Sequence, residues 1–202
     1  MVDSRLATPT PDDGVRRSGT TVWDESERPT GPVPEPGRPY PPGGVAAGRQ
    51  LVAVHNHLRS ELREIHVLVA QVVDASLDPG TARSHLNTMT MRQNSWTVGT
   101  YCATYCRVLT MHLTIEDQSL FTYLAAADER LGPVVDRLAE EHRIIHGVLE
   151  SIDSALVAFV SGPDGAKVLR EALDLLSDTL LSHLAYEERE LIEPLARLGF
   201  GY

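Results

Sequence analysis

The sequence predicts an all-α fold, an antiparallel up-down four-helix bundle behind a disordered N-terminal tail, and three observations predict it. From Val45 onward apolar residues recur at spacings of three and four, the stripe of an amphipathic helix. Breaks rich in Gly and Pro divide that pattern into long segments with mostly short connections. The alternation of a half-buried strand occurs nowhere in the chain.

The chain has 202 residues, enough for one ordinary domain with additional segments. Its 42% hydrophobic and 23% charged residues are normal for a soluble protein, and only 5% aromatics leave the core to Leu, Val, Ile and Ala. A net charge of -10 argues against nucleic acid, where Lys and Arg must neutralise phosphates. No apolar run approaches the roughly 18 residues of a membrane span. The start, MVDSRLATPTPDDG, lacks the apolar centre of a secretory signal, so a cytoplasmic protein is expected.

Residues 1–44 hold nine of the 13 prolines and almost no apolar periodicity. The run PTGPVPEPGRPYPPGG cannot keep helical hydrogen bonds and reads as a solvated, disordered tail. A protein partner could dock on it, but no basic-flanked motif supports one. The remaining 45–202 are expected to form one domain. Its first helix carries Leu51, His55, Leu58, Leu62, Ile65, Val69 and Val72 on one stripe, and Asp78, Pro79 and Gly80 break it. A short helix is expected over 81–94 and a long one over 97–127. Leu131-Gly132-Pro133 stops that helix and starts the next, which runs to about Val160. The last covers 166–198. Cys102 and Cys106, i and i+4 on one face, are expected as reduced core residues.

Histidines mark the inward stripes. The second long helix has HLTIE (His112, Glu116), the third HRIIH (His142, His146) and the fourth HLAYE (His183, Glu187). Spacing of i and i+4 puts each pair on one face, about 6 Å apart. The surrounding positions are apolar: Leu109, Leu120, Leu138, Leu149, Leu176, Leu180 and Leu191. One core histidine is usually satisfied by a hydrogen bond, and one His-x-x-x-Glu pair is common on a surface. Three such pairs on consecutive inward stripes point instead to metal.

Axial position selects a fourth contributor. At about 1.5 Å per residue, His112 lies roughly 22 Å before the end of its helix, His142 and His146 roughly 14 to 20 Å after Pro133, and His183 roughly 22 Å before Leu198. In an antiparallel bundle those levels coincide. His55 and His57 reach the same level, whereas His66 lies about 30 Å in. Of the two, only His55 falls on the leucine stripe. Five imidazoles and two carboxylates exceed one ion and suit two, and a nitrogen-rich set with carboxylates favours iron while leaving zinc and manganese open. The ferritin-like di-iron alternative needs Glu-x-x-His, which the chain lacks.

One His, then His-x-x-x-Glu, His-x-x-x-His and His-x-x-x-Glu resembles the hemerythrin-like HHE cation-binding domain, over His55 to Pro194. The resemblance implies a centre of two non-haem iron ions bridged by oxo or hydroxo. It implies His55, His112, His142, His146 and His183 as terminal ligands, Glu116 and Glu187 as bridges, and an open iron position for dioxygen or a related ligand such as nitric oxide. HLAYEERELIEP is similar to the family's fourth-helix ending, in which a proline follows the ligand carboxylate. Three features depart from the pattern. Thr122 stands where a proline often ends the second helix, so that helix is expected to continue. Pro194 falls one residue late, which keeps Glu188 open as an alternative to Glu187. The stretch from Asp74 to Tyr105 is long, with Trp96, Met89 and Met91 expected as packing at one bundle end. Three function classes stay open: binding or sensing a diatomic ligand, enzymatic decomposition of peroxide or a reactive nitrogen species, and iron homeostasis. A hydroxyl of Tyr101, Tyr105 or Tyr123 near the metals would favour turnover.

Overall fold

The computed structural model describes residues 5–77, 85–161 and 165–200. Among them every regular element is helical: α1 (Pro42–Leu77), α2 (His85–Ile115), α3 (Thr122–Ala127), α4 (Gly132–Ser161) and α5 (Gly165–Leu198). A π-helical segment, Glu116–Phe121, joins α2 to α3 with helical dihedrals at both junctions, so residues 85–127 form one rod. Thr122 therefore continues the helix, as its departure from the family pattern suggests. The separate helix expected over 81–94 does not stand alone, because residues 85–94 are the first turns of α2; residues 78–84 and the side chains of Met89, Met91 and Trp96 lie outside the described set.

Helix boundaries follow local chemistry. Pro42 opens α1, where its missing N–H costs nothing. Asp128 ends α3, accepts from the Arg130 N–H and precedes a 3₁₀ turn (Glu129–Leu131) that delivers the chain into α4. Pro194 sits inside α5, which continues to Leu198.

α5 packs on α1 and α4, and α2 packs on the same two helices from the other side. Between α1 and α5 the contacts run in reverse chain order: Gly44 on Ala196, Gly48 beside Ile192, His55 with Glu188, His66 with Ser177. A Cβ on Gly44 would come within 2.3 Å of the Ala196 carbonyl oxygen, so only glycine lets these backbones approach this closely. The core falls into two apolar clusters. One spans Leu58, Leu62, Ile65, Leu109, Leu113, Ile145, Leu176 and Leu180; the other spans Leu51, Leu120, Phe121, Leu124, Leu138, Tyr186, Leu191 and Leu195. Each fully buried Leu contributes on the order of 1.5–3 kcal/mol. Between the clusters lies a layer of buried histidine and glutamate.

The disordered tail expected from composition is corrected here for residues 5–41, which lie against the bundle. These residues form no regular element apart from a 3₁₀ turn at Glu25–Glu27, flanked by extended Asp24 and Arg28. Thr10 N–H donates to Glu188 (2.7 Å), the Arg17 and Ser18 amides donate to Asp178 (2.9 and 2.7 Å), and Gly31 N–H donates to Glu190 (2.7 Å). Trp23 packs against the first core cluster. The physical reason is polar. An extended Pro-rich chain keeps few internal hydrogen bonds, so its remaining amides are free to donate, and α5 supplies a row of carboxylates. Prolines also lower the entropy lost on docking.

Candidate metal centre

The polar layer resolves into two groups of potential ligands. His55, His112 and Glu116 form one, and His142, His183 and Glu187 the other, each with donor atoms within 4.8 Å of one another. His55, His142, His183 and Glu187 are completely buried, Glu116 is 2% exposed, and only His112 reaches partial exposure. The carboxylates tie the groups together. Glu116 lies 3.2 Å from His112 Nε2 and 3.8 Å from His142 Nε2, while Glu187 lies 3.4 Å from His183 Nε2 and 3.6 Å from His55 Nε2.

Six donor atoms in this layer are buried without a hydrogen-bond partner: His55 Nε2, His112 Nε2 and both oxygens of Glu116 and of Glu187. A buried carboxylate with no donor is costly, and two facing one another cost more. A cation among these atoms removes that cost. The donor set, two imidazoles and a carboxylate in each group, therefore fits a pair of transition-metal ions.

The far side of each ring is organised differently. Nδ1 of His55 meets Glu188 at 3.0 Å, Nδ1 of His142 meets Asp117 at 2.8 Å, and Nδ1 of His183 meets Glu141 at 3.1 Å. A carboxylate on Nδ1 fixes the tautomer and aims Nε2 inward, as second partners of metal-bound histidine do. Glu188 is itself held by Arg59 (2.6 Å). Glu141 accepts two hydrogen bonds from Arg28 at 2.7 and 2.9 Å.

Electrostatics follow these contacts. Burial works to lower the His55 pKa, but the neighbouring Glu116, Glu188 and Glu187 outweigh it and raise it to about 9. Burial and the positive His55 lower His112 to about 3. Burial and the charge of Glu187 push Glu116 well up, whereas His183 and His55 overcome burial at Glu187 and hold it down. Glu141 is held at about 2, because hydrogen bonds from His183 and Arg28 outweigh its burial.

Six of the seven residues expected as ligands thus come together: His55, His112, Glu116, His142, His183 and Glu187. The seventh, His146, joins neither group; it is half-buried and lines a cleft with Cys106, Arg107, Met111 and Leu149. Its spacing from His142 advances roughly 40° around the helix, enough to face α2 instead. Of the two adjacent glutamates, Glu187 enters the group and Glu188 backs His55. His57 is exposed, and His66 bonds Ser177. The tyrosine hydroxyls are engaged elsewhere: Tyr101 donates to Glu61, Tyr105 to the Leu58 carbonyl and Tyr123 to the Leu198 carbonyl. Both cysteines are unpaired, and burial pushes their thiols up, Cys102 to about 12 and Cys106 to about 11.

Sequence reasoning missed Asp117, Glu141 and Arg28. The first two are neighbours of ligands in sequence, and helical periodicity alone gives no reason for residue i+1 or i−1 to face the same layer. Asp117 lies in the π-helical segment, a distortion frequent at functional sites.

A helical bundle with two buried His/Glu groups at one level defines a cation-binding four-helix protein. The hemerythrin HHE cation binding domain matches residues 46–195, and the chain belongs to that family. No curated protein matches the chain, and no solved structure does. No helix among the described residues is long and apolar enough to cross a membrane.

Proposed function

We propose that residues 45–202 form an antiparallel up-down bundle holding two non-haem iron ions, and that the protein binds or senses dioxygen or nitric oxide. One observation carries this reading. Glu116 and Glu187 each lie between histidines of both groups, and all four carboxylate oxygens are buried without a hydrogen-bond partner. His55, His112 and Glu116 would hold one ion, and His142, His183 and Glu187 the other, with the glutamates spanning both. Iron bound there would supply a redox-active centre able to take a small diatomic ligand.

The chain's own groups set the conditions. Leu109, Leu113, Leu138, Leu180 and Leu184 are fully buried around the layer and keep water out, which favours binding over hydrolytic side reactions. Asp117, Glu141 and Glu188 each hold one ring by its Nδ1 and so fix its orientation. The hydroxyls of Tyr101, Tyr105, Tyr123 and Tyr186 are each engaged away from the layer, so none of these phenols stands ready to deliver a proton to it, which argues against peroxide turnover. Two unpaired thiols agree with a cytoplasmic location.

Anaerobic ferrous titration tests the reading. The protein should take up two irons per chain and then bind dioxygen or nitric oxide with a change in its visible spectrum. Saturation at one ion, or retention of zinc alone, would sink the di-iron assignment. Sustained oxygen evolution from peroxide, lost in His112→Ala, would replace binding with catalysis.

A further inference from the structure

The N-terminal segment does more than cover the bundle. It follows α5 in one direction, with Thr10 at Glu188 and Arg17 and Ser18 at Asp178. It then turns and returns along the other side, with Arg28 at Ser182, Pro29 at Tyr186 and Gly31 at Glu190. The result is a clasp around α5. Each leg also meets a carboxylate that grips a histidine of a different ligand group. The outgoing leg gives Thr10 N–H to Glu188, whose other oxygen meets His55 Nδ1. The returning leg gives the Arg28 guanidinium to both oxygens of Glu141, one of which meets His183 Nδ1.

Arg28 is built in rather than draped. Its side chain is 5% exposed, its guanidinium lies 4.7 Å from the Tyr186 ring centre and 5.4 Å from that of Trp23, and it also donates to Ser182. Its planar fork matches the carboxylate and fixes both oxygens at once, which a lysine could not do. At Thr10 the donor is the backbone itself, and prolines on both sides keep that residue extended. The side chain adds only a longer contact with Asn56, at 3.3 Å.

We propose that the clasp is part of the metal centre: Arg28 positions His183 through Glu141, and the Thr10 amide positions His55 through Glu188. Both are positioning residues, each assigned to one ligand group. The inference rests on the two-metal reading for its affinity consequences, but the ring orientation it describes exists without metal.

The test uses the full chain. Thr10→Pro removes only the amide donor and the Asn56 contact in a segment already flanked by prolines, and Thr10→Ala controls for the hydroxyl. Arg28→Ala removes the fork and Arg28→Lys keeps the charge. Arg38→Ala, a surface arginine of the same segment paired with Glu35, is the neutral control. In metal-free protein, the ring Nδ1–H signal of His183 should lose its hydrogen-bonded shift in Arg28→Ala, and that of His55 in Thr10→Pro. Ferrous iron in competition with a chelator should bind about 10-fold or more weakly, at one ion only in each variant, with Arg28→Lys intermediate. Arg38→Ala should match the parent. Unchanged ring signals in both variants would overturn the proposal, as would variants that lower the melting temperature without altering rings or affinity. A parent chain binding fewer than two irons would instead remove the proposed function, and the ring signals would still decide the clasp's role.

Discussion

The two ligand groups share a composition but not a degree of preparation. In the His142, His183 and Glu187 group both imidazoles are gripped from behind, by Asp117 at 2.8 Å and Glu141 at 3.1 Å. In the His55, His112 and Glu116 group only His55 is gripped, by Glu188, and His112 retains 12% exposure. A ring fixed in advance loses less freedom on binding, and a carboxylate behind it makes it a better donor. One site is thus preorganised and the other must still settle. Two ions would bind unequally, the tighter one between α4 and α5.

The sharpest way to break this comparison is to remove a ligand from each group. His183→Ala should abolish the ion of the prepared group and weaken the other through Glu187, whereas His112→Ala should leave close to one ion per chain. Metal content after gel filtration separates these outcomes, and equal loss from both variants would mean that the groups fill only together. Next in size is the effect of the backing carboxylates. Glu141→Gln and Asp117→Asn should each weaken the tighter ion by roughly 10- to 100-fold and narrow the gap between two binding steps seen by calorimetry.

A pH series should separate the groups more gently. In metal-free protein His55, raised from 6.5 to about 9, contributes stability that is complete below pH 6.5 and is lost as pH rises through about 9. Glu187, lowered by His183 and His55 against its burial, contributes in the opposite sense, above the usual carboxylate range, and loses its contribution on acidification. Metal must displace the His55 proton and the one held by the raised Glu116, so affinity at that group should climb steeply with pH up to about 9. In the other group burial lowers His142 and its histidine neighbours lower Glu187, so only His183, raised by Glu141 and Glu187 against its burial, holds a proton to displace, and the slope should be shallower. Titrations at several pH values check this, and parallel slopes would remove the electrostatic half of the comparison. The smallest effect belongs to His57→Ala. That side chain is exposed beside α2, so iron content should stay at the parent level, while a loss matching His55→Ala would mean that α1 is rotated from its observed face.

Much of the centre was legible because helical spacing is a property of sequence. His112 with Glu116 and His183 with Glu187 follow from i and i+4, and His55 from its place on a leucine stripe. His146 shows the limit of that reasoning: an HRIIH pair shares a face, but a helix between two neighbours divides that face between them. Asp117, Glu141 and Arg28 were not legible, since their roles depend on which helix or segment lies opposite. The Pro-rich segment misled for a related reason. Its composition reports how little apolar surface it can bury, and says nothing about carboxylates waiting on α5.

The π-helical segment has a consequence for the phase of the longest rod. The buried line along it runs Val98, Cys102, Tyr105, Leu109, Leu113, Glu116, Leu120 and Leu124, seven turns in 26 residues. Seven ordinary α-turns use about 25. The surplus residue would rotate one end of a uniform rod away from the interior by most of 100°. The wide turn at Glu116–Phe121 absorbs it at the level of the ligands. Val98 through Leu113 and Leu120 through Leu124 can then both face inward, each half of the rod keeping its own apolar cluster, with Glu116 at the seam where the two angular settings meet.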